Sequence, residues 1–199
     1  KADEAAVIAR AAWDDEKLYL GWEVRDATPW KNAASDPTQM YIGGDTVDFQ
    51  LATDPAAPKD RKEDAAGDLR LSIGNFAGKP TAVLYRKVSA VKKPRVFSSG
   101  VVKAYAVDYV EVLTNVEIKV TLRDNSYVVE AAVPLAQLGL KPAANVPLRG
   151  DFGVTHGDAA GQRTRLRSYW SNQHTGIVDD AVFELKLEPA NWGEISFQP

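Results

Sequence analysis

The chain has no cysteine in 199 residues, one methionine (Met40) and two histidines (His156 and His174). Each scarcity removes chemistry. Without thiols there is no disulfide, no thiolate nucleophile and no cysteine metal site. Two histidines eighteen positions apart, with no further nitrogen or sulfur ligand, do not make a zinc centre. Excess positive charge is missing too: 24 basic against 27 acidic residues give a net charge of −3, so nothing points to nucleic acid or an anionic membrane as partner. No apolar run approaches the roughly 20 residues of a membrane span. No phosphate-cradling glycine loop and no Gly-x-Ser-x-Gly elbow occurs. A Ser-His-Asp triad would require a serine brought to a histidine; His156 stands at an expected strand end and His174 in a polar loop, and neither carries a nucleophile motif. A glycosidase's paired carboxylates have no fixed spacing in sequence. Here no acidic residue stands in an apolar run that would raise its pKa.

What is present is strand after strand. Apolar residues make up 45% of the chain and charged residues 26%, an ordinary globular balance, and the length suits one domain, residues 1–199. Leu18, Leu20, Trp22 and Val24 alternate with Tyr19, Gly21, Glu23 and Arg25, the two-residue period of a strand with one buried face. With Ala5–Trp13 they form a hairpin about the turn Asp14-Asp15-Glu16-Lys17. Val47, Phe49 and Leu51 alternate with Thr46, Asp48 and Gln50 in the same way. Further strands are expected at Leu69–Ile73, Thr81–Lys87, Val101–Ala106, Glu111–Leu113, Val116–Leu122, Tyr127–Pro134, Asp151–Asp158, Thr164–Tyr169 and Asp180–Leu187. Pro134–Leu140 reads as one helical turn, proline first and glycine closing it. The charged, proline-containing stretch Asp54–Asp68 reads as an exposed loop, as does Lys92-Lys93-Pro94-Arg95. Many short strands with minimal helix predict an all-β fold, an antiparallel β-sandwich of jelly-roll or immunoglobulin-like type.

Two kinds of site are suggested by residue type. Calcium takes oxygen ligands from loops, and Asp14, Asp15, Asp26, Asp36, Asp45, Asp151 and Asp179-Asp180 are the candidates, each also suited to capping a turn. Sugars offer flat apolar faces edged by hydroxyls, which aromatic rings stack on and carboxylates, guanidinium groups and amides bind. Trp30 in a polar loop, Tyr41 before Gly43-Gly44, and Tyr169-Trp170 followed by Ser171-Asn172-Gln173 are placed for that. Trp13 and Trp22 read as core, Trp192 as packing. Asp48, Gln50 and Arg70 lie on the polar side of their strands.

Three blocks carry a resemblance. Trp13-Asp-Asp-Glu-Lys-Leu-Tyr-Leu-Gly-Trp-Glu-Val-Arg-Asp26, Gly44-Asp-Thr-Val-Asp-Phe-Gln50 and Tyr127-Val-Val-Glu-Ala-Ala-Val-Pro-Leu-Ala-Gln-Leu138 resemble, in order, the conserved segments of family 9 carbohydrate-binding modules and their relatives. The resemblance implies a non-catalytic β-sandwich with bound calcium, and among the loop carboxylates Asp14, Asp15, Asp26 and Asp45 are the residues expected to hold it. It also implies a site where two aromatics clamp a glycan. Tyr41, or Trp30, would be the first and Trp170 the second, with Asp48, Arg70 and Asn172 selecting hydroxyls. The chain departs from the pattern at Tyr41 (tyrosine for tryptophan), Asp48 (aspartate for glutamate) and Leu135 (leucine for an aromatic). The same superfamily holds haem-binding electron-transfer domains, and by that alternative Met40 with His156 or His174 would ligate a non-covalent b-type haem. A third reading is a structural domain with no small ligand. No secretory leader is visible after Lys1, so the chain reads as a monomeric module cut from a multidomain protein. Its setting would be secreted, periplasmic or on the cell surface, and its partner a polysaccharide or oligosaccharide.

Overall fold

The computed structural model describes residues 6–173, 180 and 182–198. Its strands are β1 (Val7–Trp13), β2 (Lys17–Arg25), β3 (Thr46–Ala52), β4 (Asp68–Phe76), β5 (Lys79–Arg86), β6 (Arg95–Phe97) and β7 (Tyr105–Val107). They continue with β8 (Tyr109–Leu113), β9 (Glu117–Arg123), β10 (Ser126–Pro134), β11 (Pro147–Gly157), β12 (Thr164–Tyr169) and β13 (Gly193–Ser196). One helical turn, α1 (Leu135–Leu138), follows β10, closed by Gly139 in the left-handed conformation at φ 60°.

Two antiparallel sheets face each other. The smaller runs β1-β2-β10-β9; the larger runs β12-β11-β3-β4-β5-β8, with β13 also on β11, beyond the end of β12. β6 and β7 pair separately. The opening hairpin forms as the alternation requires: Val7 pairs with Val24 and Trp13 with Leu18. Asp14 holds the turn, its carboxylate accepting the N–H groups of Glu16 and Lys17 and the Tyr19 hydroxyl. Leu18, Leu20, Trp22 and Val24 face Val47, Phe49, Leu51, Leu71 and Ile73 across the sandwich, and this is the main core.

All seven residues of β3 are buried, which alternation alone does not predict. The main core covers one face. A 3₁₀ turn (Pro37–Ile42) and residues 182–192 cover the other, where Met40, Tyr41, Val83, Tyr85, Phe97, Val107, Val182 and Leu185 form a second apolar cluster. The strand expected at Asp180–Leu187 is a turn instead. The Asp180 carboxylate accepts the N–H groups of Val182 and Phe183, and the backbone closes from Glu184 to Asp180 and from Leu185 to Val182. An aspartate followed by free N–H donors competes with the sheet ladder and wins. Asp179 and His174 lie outside the described residues.

Candidate functional site

Strand alternation divides the expected sugar residues between two faces. On β11 and β12, Gly153 pairs with Tyr169 and Val154 with Ser168, while Gly153 also pairs with Asp48. Tyr169 therefore shares the outward face with Asp48 and Arg70. Trp170, opposite Phe152, shares the inward face with the core. The expected clamp of Tyr41 and Trp170 around Asp48 and Arg70 is not assembled: the sheet itself stands between the two rings.

The outward face is a buried polar layer. Arg70 donates to Asp48 Oδ2 at 2.7 Å and to the Glu184 carbonyl at 2.7 Å, and its guanidinium lies 5.1 Å from the centre of the Tyr41 ring. Burial works against the guanidinium charge, but the Asp48 carboxylate outweighs it and holds the Arg70 pKa above its ordinary value. Arg167 pairs with Glu184 above this layer. Trp192 covers Gln50, donating from Nε1 to Oε1 at 2.9 Å. Asn172 donates to Glu188, and its N–H bonds Asp151. Asp48 Oδ1, Arg70 Nε and Ser72 Oγ make no hydrogen bond to protein atoms. Tyr41 is wholly buried against Tyr85, and burial raises the pKa of its phenol. Trp30, expected at a loop tip, is buried too. It caps the core against Tyr127 with ring centres 5.2 Å apart, its backbone at φ 57°. Neither ring presents a face for stacking.

Trp170 does. It is the one tryptophan of five with most of its surface open, at 53%. Gly193 seats it on one side: a Cβ there would come within 2.5 Å of the indole, so the six-membered ring rests against bare backbone of β13. Beside it, between the edges of the two sheets, runs a groove of about 500 Å³ lined by Val7, Ala9, Phe152, Ser168, Tyr169, Glu194 and Ile195. A wider and more open hollow of about 600 Å³ lies over Gly21 on the small sheet. Its ring, Tyr19, is tied by its hydroxyl to Asp14.

At the groove, tertiary structure supplies what no local motif signalled. His156 Nε2 lies 3.1 Å from Ser168 Oγ, and its Nδ1 lies 3.3 Å from Asp26 Oδ2. Asp26 is drawn from the end of β2 in the other sheet. Burial pushes the Asp26 pKa up, but hydrogen bonds from His156 and Thr28 outweigh it and leave the group below the ordinary carboxylate range.

Of the aspartates expected to hold calcium, Asp14, Asp26, Asp36, Asp45 and Asp151 are engaged by protein groups, and Met40 does not meet His156; His174 lies outside the described residues. Asp14 caps its own turn. Asp26 faces His156, and Asp45 accepts the N–H groups of Lys31 and Gly157 at 2.7 and 2.6 Å. Asp36 caps the 3₁₀ turn and pairs with Arg95, and Asp151 accepts from Ser171 and Asn172. Oxygens aimed at N–H donors do not suit a cation. Among the described residues no three histidine or acidic groups gather around a common point. Met40 is buried on the outward face against Gly74, while His156 is on the inward face with both ring nitrogens engaged. These two residues cannot ligate one haem across a pocket.

The paired antiparallel sheets define a β-sandwich. The chain belongs to the carbohydrate family 9 binding domain-like family, whose model matches residues 1–196, and the family is one of non-catalytic carbohydrate-binding modules. The chain's fold is similar to that of solved structures, among them two complexes of one module. A family 9 carbohydrate-binding module from Caldicellulosiruptor kristjanssonii in complex with glucose is 17% identical, with a TM-score of 0.56 over 98% of this chain and 78% of that one. The corresponding complex with cellotriose is 16% identical, with a TM-score of 0.52 over 98% and 76%. No curated protein sequence matches the chain.

Proposed function

We propose that this chain recognises an oligosaccharide, or a segment of a polysaccharide, by stacking a pyranose ring on Trp170. The single observation that carries this is the half-exposed indole, pinned on one side by the Gly193 backbone and open beside a groove on the other. A sugar's apolar face removes water from such a ring and its C–H groups meet the negative π-face. Family membership, and relatives crystallised with glucose and cellotriose, support a neutral gluco-oligosaccharide as the first ligand to try. One stacked ring with few polar contacts buries little area, so the dissociation constant should fall on the order of 10–100 μM. The buried Asp48–Arg70 layer is then a brace beneath the fold's outer cover and does not touch the stacked sugar. A module of this kind would act outside the cytoplasm, joined to a larger carbohydrate-active or surface protein.

Calorimetry with cellotriose tests the reading. Binding by the native chain and its loss in Trp170→Ala, with an unchanged thermal unfolding midpoint, is the expected result. Equal binding by the two proteins overturns it. Absence of any glycan ligand across an array would leave a structural domain in its place.

A further inference from the structure

Ser168 is the one side chain on the groove's inward-facing wall that offers a hydroxyl, and its polarity is set from behind. An ionised carboxylate only accepts hydrogen bonds. Asp26, charged and already accepting the Thr28 N–H at 2.7 Å, therefore obliges His156 Nδ1 to carry the proton. In the neutral ring Nε2 is then the acceptor, and Ser168 must donate its only proton to it at 3.1 Å. What remains on the groove side of Ser168 is lone pairs. The same order of groups activates serine nucleophiles where an oxyanion site completes it. In this binding module its consequence is a hydroxyl that can accept and cannot donate.

We propose that Ser168 is a specificity-determining acceptor of the Trp170 groove, locked by His156 and Asp26, and that it selects ligands placing a free hydroxyl donor beside the stacked ring. The class is a neutral sugar unsubstituted at that hydroxyl. An O-alkylated or deoxygenated sugar lacks the donor, and a carboxylate or carbonyl oxygen at that place would face the serine lone pairs with lone pairs of its own. Of the groove walls, Val7, Ala9, Phe152 and Ile195 are apolar and Glu194 is acidic, while the other side-chain donors are the Trp170 indole N–H and the hydroxyl of Tyr169, whose side chain lies on the opposite face of its strand. Asp26 and His156 come from different sheets, so the lock exists only in the folded sandwich. This inference rests on the stacking role of Trp170.

The test compares monodeoxy and monodeoxyfluoro analogues of methyl β-cellobioside, because fluorine can accept a hydrogen bond but cannot donate one. Expected is one ring position where fluorination weakens binding as much as deoxygenation, roughly five- to tenfold. That penalty should vanish in Ser168→Ala and return in Ser168→Thr. Nitrogen-15 NMR of His156 should show the proton on Nδ1 in both the native chain and Ser168→Thr. A position where fluorine restores the affinity lost on deoxygenation, or a penalty that persists in Ser168→Ala, overturns the proposal, as does a proton on Nε2. Trp170→Ala is measured alongside. If it abolishes binding while Ser168→Ala changes nothing, the acceptor role alone fails; if it changes nothing, the stacking reading fails with it.

Discussion

The two faces of the large sheet use the same residue types for opposite ends. Outward, Asp48, Arg70, Gln50 and Tyr41 carry the groups a sugar site needs, yet all are buried beneath the 3₁₀ turn and residues 182–192. Inward, at the sandwich edge, one tryptophan, one serine and a largely apolar groove rimmed by Glu194 have fewer buried polar groups but remain open. A ligand can use only the surface it reaches. Chemistry-bearing residues in a closed layer contribute to stability, and accessibility decides which of two plausible sets can bind.

The largest effect that would break this contrast is on the closed side. Arg70→Met leaves Asp48 charged and unpaired in the interior and should lower the unfolding free energy by about 3–5 kcal/mol, whereas the double change with Asp48→Leu should recover most of it. Urea titration measures both, and a neutral Arg70→Met would show that the layer is not a brace.

On the open side, Trp170→Ala should weaken glycan binding at least about tenfold, or about 1.4 kcal/mol, while stability moves by less than about 1 kcal/mol. A reversed pattern, unfolding without loss of affinity, would exchange the roles of the two faces.

A pH series sharpens the comparison next. Burial holds the Asp45 carboxyl at about 6, and the Asp64 carboxyl at about 6 as well, while in the unfolded chain such groups ionise near 3.9. Between these values the folded protein binds protons that the unfolded one has released, so stability falls as pH rises through this window. Asp26 and Asp36, held below the ordinary range, act oppositely and lose their contribution only below about pH 4. Unfolding free energy should therefore be higher near pH 5 than near pH 7.5 by on the order of 1–3 kcal/mol, readable by denaturant titration at each pH.

Smaller still, Gly193→Ala should push the indole off its seat and weaken binding by about two- to fivefold with little loss of stability, since the displaced ring moves into solvent. Smallest is metal removal. A chelator should leave the thermal midpoint unchanged, because the oxygens of Asp14, Asp26, Asp36 and Asp45 already accept hydrogen bonds from protein groups. A clear drop on chelation would restore calcium as part of the fold.

The fold was legible because alternation is local. The hairpin at Trp13–Asp26, the strand at Thr46–Ala52 and the proline-to-glycine turn after β10 each follow from side chains a few residues apart. Trp22 and Trp192 are buried as their patterns suggest. The site was legible only in part. Tyr169 and Trp170 were expected together beside the ligand, but adjacent positions along a strand point to opposite faces. Which ring took which face depended on the pairing of β12 with β11, and a one-residue slip inverts it. Burial of Tyr41 and Trp30 depended on what packs over them.

By itself, then, the amino-acid order determined an antiparallel sandwich, a core of alternating apolar residues and the exclusion of thiol and zinc chemistry. Only tertiary structure decided that the Asp48–Arg70 layer is closed, that Trp170 is open, and that Asp26 and Ser168 meet across His156. Residues within a strand are bound by covalent geometry to a fixed period. Contacts between residues 26, 156 and 168 exist only once strand register and sheet packing have been chosen by the whole chain.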